Sequence, residues 1–259
     1  MGRSPKLTAA AARPLLFSWG ARALFVGASL HLTPHRNAVA VLAVSLDGPF
    51  TLTNADGAVR CRSALIEPNT RHHLRAGAHR MAFLYVDATG RDLTVLREAF
   101  PTLGRLASTA IRAQAALSRA LRALAEGRAT FADTRAYLDA RLLRAPSPPV
   151  ADPVVASLRF LHAHAADRPT LAALAQEARL SPSRYRHRFV ALTGVPFRRY
   201  RTWVAMGAAL RQVAAGASLT EAAHAAGFAS SAHFSTAFRA MFGLAPSRLR
   251  DVVLATDPA

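Results

Sequence analysis

Between Leu15 and Asp87 the apolar residues fall in short runs bounded by turn formers, the pattern of strands rather than helices. The runs are LLFSW, ALFVGAS, AVAVLAVSL, PFTLT, VRCRSALI and HRMAFLYVD. A hairpin is predicted where 50–53 and 59–62 flank Asn54-Ala-Asp-Gly57, because Asp-Gly favours a tight turn with positive φ. Several short strands at this spacing predict a sandwich or barrel. From Asp92 to Leu143 the period changes. Leu106, Ala110, Ala113, Leu117, Leu121 and Leu124 fall on one face of a helix. Gly127 closes it, and 131–143, with Asp133 near its start, is predicted as a second helix.

Residues 145–153 hold four prolines in nine positions and read as a semi-rigid linker, as residues 1–13 read as a flexible start. Beyond the linker, from 170 to 243, the chain states one unit twice. Thr170 aligns with Ser218, Leu171 with Leu219, Ala175 with Ala223 and Leu180 with Phe228. Each copy closes with Phe-x4-Gly, at Phe189/Gly194 and Phe238/Gly243. Each opens on a hydroxyl placed to cap a helix, and Ser218-Leu-Thr-Glu221 is a capping box. A short helix follows, then a turn supplied in the second copy by Gly227. The next helix buries Tyr185/Phe189 or Phe234/Phe238 at i and i+4 and keeps a polar face. Helix, tight turn, helix predicts a helix-turn-helix, whose second helix enters the major groove of DNA. Further helices are predicted at 154–166 and 196–215, the latter between the two units with Phe197, Tyr200 and Trp203/Val204 on its apolar side.

The stretch from 154 to 254 is similar to the DNA-binding domain of AraC/XylS-family transcription regulators. The most telling piece is Ala226-Gly-Phe-x4-His233-Phe-Ser-x2-Phe238-Arg-x2-Phe242-Gly-x2-Pro246-Ser-x2-Arg250. The resemblance implies a double-stranded DNA operator, docked by both units with reading helices in successive major grooves about 34 Å apart. In the first reading helix Ser183, Arg186 and His187 are the base-edge candidates by match to the family motif, with Arg184 and Arg188 as further DNA-binding residues. An arginine there can make a bidentate contact to guanine, or only a phosphate contact. In the second the set is Ser230, Ser231, His233 and Thr236, short and weakly discriminating side chains. Thr236 and Ala205 stand where the family commonly has arginine, and Ala232 where a polar side chain is frequent. The first unit is therefore expected to carry most of the specificity and the second to anchor through phosphates. Arg179 occupies the turn position that Gly227 holds in the other copy, where a non-glycine residue costs strain.

Residues 1–90 resemble, more loosely, the cupin-like sensory domain that precedes many such DNA-binding domains. This rests on the strand pattern, on Leu65-Ile-Glu-Pro68-Asn-Thr-Arg-His72-His73 and on position in the chain. The resemblance implies a barrel that binds an unknown small-molecule effector, with His35, His72 and His73 as candidate ligand-binding residues. Imidazole is the commonest metal ligand, and the 68–73 segment has the spacing of the second cupin metal motif. The His-x-His pair of the first motif is missing, however, and its glutamate position falls near Val41. The alternatives are a pocket lining, rim positions or an incomplete metal set, and no metal or cofactor is assigned. The same resemblance makes the helical pair at 91–144 a homodimerisation element, the alternative being that its stripe packs on its own barrel. The expected fold is α+β: an N-terminal cupin-like β-barrel with a helical pair, then an all-α C-terminal domain containing two helix-turn-helix units.

Charge changes this picture little. The net charge of +18 favours an acidic partner such as nucleic acid. Yet 13 Arg face 5 acids from Pro153 onward, and 19 Arg with Lys6 face 10 acids before it, so the basicity is spread along the chain. With 32 Arg and one Lys, part of it reflects a GC-rich coding bias. A single cysteine, Cys61, excludes an intrachain disulfide, a multi-thiolate zinc site and the self-methylating repair chemistry of some related domains. No apolar run approaches the roughly 18 residues of a membrane helix. Arg3 and Lys6 precede an alanine run that Arg13 interrupts with no cleavage site, so a cytoplasmic location is expected.

The function expected is a sequence-specific transcription regulator tuned by an effector in the barrel, meeting RNA polymerase if it activates. An effector-independent regulator whose barrel only dimerises is the alternative. A non-specific architectural binder would lose affinity with salt equally on all sequences. A cupin-type enzyme is not expected, since no phosphate loop, nucleophile elbow or carboxylate pair is present.

Overall fold

The computed structural model describes residues 13–87, 92–99, 102–103, 106–107, 111–143, 152–249 and 251–256. All but Arg13 of the predicted flexible start, all but Asp152 and Pro153 of the proline linker, and Arg250 lie outside these. Strand β1 (Leu15–Trp19) alternates buried and half-buried residues, the period of a strand. It pairs with β2 (Arg22–Ala28), which pairs with β9 (Arg80–Val86); β9 pairs with β4 (Ala40–Ser45), and β4 with β7 (Ser63–Ile66). A second sheet runs β3 (His35–Arg36), β8 (Arg71–Arg75), β5 (Phe50–Asn54) and β6 (Gly57–Cys61). Leu24, Leu42, Phe50, Leu52 and Leu74 of both sheets share one apolar core. These strands are thus hydrogen-bonded within a six-stranded and a four-stranded sheet.

The predicted run VRCRSALI is two strands in different sheets, because the chain turns at exposed Arg62 between buried Cys61 and Ser63. The predicted hairpin is present with Asn54 opposite Gly57, and the turn is Ala55-Asp56. The Asp56 amide donates to Asn54 Oδ1 at 2.8 Å, so an Asx turn closes it.

Successive side chains on a strand point to opposite faces, so the six-stranded sheet serves two neighbours. One face meets the helical pair. Helix α1 (Asp92–Ala99) and the short β10 (Thr102–Leu103) and β11 (Leu106–Ala107) lead to α2 (Ile111–Ala125) and α3 (Phe131–Arg141). Leu24, Leu42 and Leu84 of the sheet line one small gap with Leu117, Leu121 and Leu138 of the helices. Phe17 stacks on Phe131 with ring centroids 4.1 Å apart, and Arg22 bridges Asp92 of α1 and Asp139 of α3 at 2.7 and 2.9 Å. One expectation is corrected here. The helical stripe does not reach Leu106, which lies in β11; Ala110 is outside the described residues. Leu117, Leu121 and Leu124 are buried in the molecule's own core, each burial worth roughly 1.5–3 kcal/mol.

The C-terminal part is helical: α4 (Pro153–Ala163), α5 (Leu171–Glu177), α6 (Pro182–Thr193), α7 (Phe197–Ala214), α8 (Leu219–Ala225) and α9 (Ser231–Phe242). Helix α7 is the common spine. Its Tyr200 and Val204 enter a core with Leu158, Leu174, Tyr185 and Phe189. Its Ala205, Met206 and Ala209 enter another with Ala223, Phe228, Phe234 and Phe238. Ala205 is completely buried there. Val253 and Leu254, expected within the helical domain, belong instead to β12 (Val253–Thr256). That strand pairs in parallel with β1 at the edge of the six-stranded sheet.

The two parts are packed together. Val39 and Ala38 of the sheet region enter the first and second helical cores respectively. Asn37 Nδ2 donates to the Met241 carbonyl at 2.9 Å, and the Thr33 amide to that of Gly243 at 2.8 Å. Donors from the sheet region thus satisfy carbonyls that the end of α9 leaves without helical partners.

Candidate nucleic-acid interface

The local chemistry of each repeat places its second helix. Thr170 and Ser218 cap α5 and α8 through their hydroxyls, and Ser218 and Glu221 form the reciprocal capping box. Removing such a cap typically costs about 1 kcal/mol. The turns differ as the sequences do. Gly227 holds φ +74°, and Arg179 at the matching place is forced to +53°, a left-handed conformation that disfavours a side chain. Ser181 and Ser230 then cap α6 and α9, whose ends are closed by left-handed Gly194 and Gly243.

In α6, Tyr185 and Phe189 are fully buried, while Ser183, Arg184, Arg186, His187 and Arg188 are exposed. Those five are brought together on one helix, but Arg188 differs: its guanidinium holds Asp152, the N-cap of α4, at 2.9 Å. In α9, Phe234 and Phe238 are buried and Ser231, Ala232, His233 and Thr236 are exposed. Ser230 is half-buried, and its hydroxyl accepts from the His233 amide at 3.1 Å. Its first duty is therefore capping. The second reading surface is short and uncharged beside the first.

Three arginines that the repeat reading passes over gather beside these units. Arg168 donates to the Gly227 carbonyl, and Arg201 reaches the Arg168 and Pro169 carbonyls, each at 3.4 Å. Burial first, then Arg201 and Arg198, lower the Arg168 pKa. No spacing rule links Arg168 to Arg198 and Arg201, 30 and 33 residues further along the chain; only the fold assembles them.

The histidines of the sheet region separate. His35 and His72 are opposite one another on β3 and β8, both buried, with rings 4.4 Å apart. Each donates Nδ1–H to a backbone carbonyl, His35 to Thr33 at 2.8 Å and His72 to Thr70 at 2.9 Å. Burial, then the neighbouring His72, pushes the His35 pKa down to about 4; burial also lowers that of His72. His73 lies next along β8 and is half-buried. Among the described residues no three His, Cys, Asp or Glu side chains are grouped to hold a metal. Cys61 is buried, and burial pushes its thiol up to about 11.

The second face of the six-stranded sheet, opposite the helical pair, borders a cavity of about 110 Å³. Phe25, Phe83 and Tyr85 line it from the sheet, Trp203 and Gly207 from α7, and Phe242 from α9. Arg211 stands among these mostly apolar groups, its pKa lowered by partial burial. The sequence-predicted histidines are not in the lining.

A family model described as a helix-turn-helix domain matches residues 174–251. No curated protein matches the sequence. Among solved structures, ToxT from Vibrio cholerae aligns at 14% identity with a TM-score of 0.57, covering 88% of this chain and 97% of that one. An unsaturated fatty acid bound wild-type ToxT from Vibrio cholerae aligns at 13% identity and TM-score 0.57 over 92% of each chain. A ToxT from the same species bound to (E)-4-(8-methylnaphthalen-1-yl)but-3-enoic acid aligns at 14% identity and TM-score 0.57, over 88% and 98%. At these identities the likeness is one of fold, extending over both parts of the molecule. No helix among the described residues is long and apolar enough to cross a membrane. With two capped, tightly turned helix pairs on one spine inside the matched segment, residues 174–251 are an AraC-type helix-turn-helix domain, a DNA-binding module.

Proposed function

We propose that this protein is a sequence-specific transcription regulator, controlled by a small apolar carboxylic acid bound between the sheet and α7. The observation that carries it is the double use of α7. Tyr200, Val204, Ala205, Met206 and Ala209 hold the two reading units, while Trp203, Gly207 and Arg211 of the same helix line the cavity. A ligand there touches the spine that sets both units. Apolar walls ending at a guanidinium suit an apolar body with an anionic head. The ToxT structures bound to an unsaturated fatty acid and to an aryl butenoic acid support that class. An engineered cavity of about 150 Å³ holds benzene, so the 110 Å³ cavity must widen to admit a naphthyl group or an acyl chain. No cofactor or enzymatic role enters this reading, and the location is taken as cytoplasmic. A homodimer would use a face other than the Leu117–Leu121–Leu124 stripe. RNA polymerase is a partner if the regulator activates.

The test is unbiased binding-site selection with full-length protein at near-physiological salt, with and without the naphthyl butenoic acid. A motif spanning two major grooves is expected, with affinity changed about fivefold or more by the acid. Arg211→Gln is expected to abolish that change while sparing DNA binding. Absence of any motif in both conditions would overturn the regulator reading. A motif indifferent to the acid, and to fatty acids, would support the effector-independent alternative.

A further inference from the structure

The two helix-turn-helix units are joined by α7, but they also touch directly. Arg168 lies in the loop between α4 and α5, at the entry to the first unit, and is held in the left-handed region at φ +49°. Its guanidinium donates to the carbonyl of Gly227, in the turn of the second unit, and sits 5.4 Å from the Phe228 ring centroid. Phe228 is buried in the core that holds α9. Behind it, Arg201 of α7 donates to the Arg168 and Pro169 carbonyls, fixing the loop from the far side. The close approach needs glycine at 227: a Cβ there would stand 2.5 Å from Arg168 Cδ. A left-handed arginine is an unfavoured conformation, kept where its surroundings over-determine it. Here those surroundings belong to both units.

We infer that Arg168 is a positioning residue for DNA recognition, a strut from the first unit to the turn of the second that fixes how far apart, and at what angle, α6 and α9 meet successive major grooves. The inference rests on the two-unit DNA reading proposed above. A strut has a different signature from a phosphate contact. A phosphate contact adds affinity to any site, and its loss lowers the salt slope by about one. A strut sets the spacing between half-sites, because one base pair shifts the second groove by about 3.4 Å and turns it by about a tenth of a helical turn.

The experiment uses full-length protein and the bipartite motif recovered by selection. Binding is measured on the intact site, on sites with one base pair added or removed between the halves, and on a site with the second half scrambled. Arg168→Asn is the variant of choice, since asparagine tolerates the left-handed backbone but carries no guanidinium. Arg168→Ala, with thermal melting of both variants, guards against reading a folding defect as a spacing effect. For the wild type, a change of one base pair is expected to weaken binding about tenfold or more, comparable to losing a base contact. In Arg168→Asn the penalty is expected to fall to about threefold or less while binding to the scrambled-half site stays within about twofold, since a strut holds the two units in register without itself touching DNA. An unchanged spacing penalty, or equal losses on intact and scrambled-half sites with a reduced salt slope, would overturn the strut and leave the two-unit reading intact. A wild type with no spacing preference would overturn both together.

Discussion

The Tyr200 hydroxyl lies 2.7 and 2.8 Å from the two carboxylate oxygens of Asp87, and both side chains are buried. Asp87 directly follows β9, and Tyr200 is on the spine helix α7, so this contact joins the sheet to the DNA-binding domain. His162 of α4 completes the group, its Nε2 3.1 Å from the hydroxyl and 3.5 Å from the carboxylate. Burial first, then Asp87, raises the Tyr200 pKa well above its ordinary value.

Tyr200→Phe keeps the ring and removes the donor. A hydrogen bond to a charged group contributes about 1.5–3 kcal/mol, so the variant is expected to lose that much. At this chain length each kcal/mol is roughly 2–4 °C in Tm, readable by thermal melting. The pH dependence has a definite sign. A tyrosine with a raised folded pKa adds stability that is complete below the unfolded value near 10 and lost as pH rises beyond it. The advantage of wild type over Tyr200→Phe should therefore hold at pH 8 and shrink above pH 10. A constant gap would show that the hydroxyl acts only through packing.

His35 works at the other end of the scale. Its folded pKa of about 4 lies below the ordinary 6.5, so between those values the unfolded chain binds the proton and the folded one does not. Stability contributed by neutral His35 is complete above pH 6.5 and falls as pH drops toward 4, by about 3 kcal/mol at 1.36 kcal/mol per unit. Carboxylates also titrate in this window, so the comparison must be with His35→Asn, whose amide can replace the donor to Thr33. Urea unfolding at pH 7 and pH 4.5 should show a smaller acid loss in the variant. Equal losses would place the acid lability elsewhere.

Gly194 and Gly243 end the two reading helices with nearly the same backbone, φ +73° and +74°. A Cβ on Gly194 would meet only Pro68, at 3.4 Å, whereas on Gly243 it would stand 2.5 Å from the Thr33 carbonyl oxygen and 2.6 Å from His35 Nδ1. Alanine at 194 should cost the conformational penalty of about 1–2 kcal/mol. Alanine at 243 should cost about 1–3 kcal/mol more, because it also overpacks the junction between α9 and the sheet. Denaturant midpoints for the two variants test this. Equal costs would mean the junction yields freely.

The repeat is legible in the sequence because each unit is encoded locally: a capping hydroxyl, a turn and an aromatic pair at i and i+4 follow one another within a single short stretch. Arg179 is legible for the same reason, since only its alignment with Gly227 is needed to expect a left-handed backbone. What joins distant segments is not. Asp87 with Tyr200, Arg168 with Gly227, and Asn37 with Met241 depend on the docking of sheet and helices, and no periodicity records it. Leu117 and Leu121 show the same limit: a helical stripe announces that it will be buried, but not against which partner. The histidine motif suggests a pocket lining, yet strand register pairs His35 with His72 and sets the cavity on other residues.

The two reading helices should differ in what they discriminate. Helix α6 presents Arg184, Arg186 and His187 to solvent; α9 presents Ser231, Ala232, His233 and Thr236. Alanine in place of an arginine at a guanine edge loses both hydrogen bonds, so Arg186→Ala is expected to cost about 1–3 kcal/mol of preference at one base pair. A serine hydroxyl both donates and accepts and so reads several bases, and Ser231→Ala should change preference by no more than about 0.5 kcal/mol, as for an ordinary surface position. Arg188→Ala separates a third case, because its guanidinium is engaged with Asp152 at 2.9 Å. Its loss should loosen α4 against α6 without relaxing any single base position. Competition binding across all single-base variants of the selected site measures all three. If Arg186→Ala and Ser231→Ala relax discrimination equally, the first unit has no privileged role, and sequence is read by both helices alike.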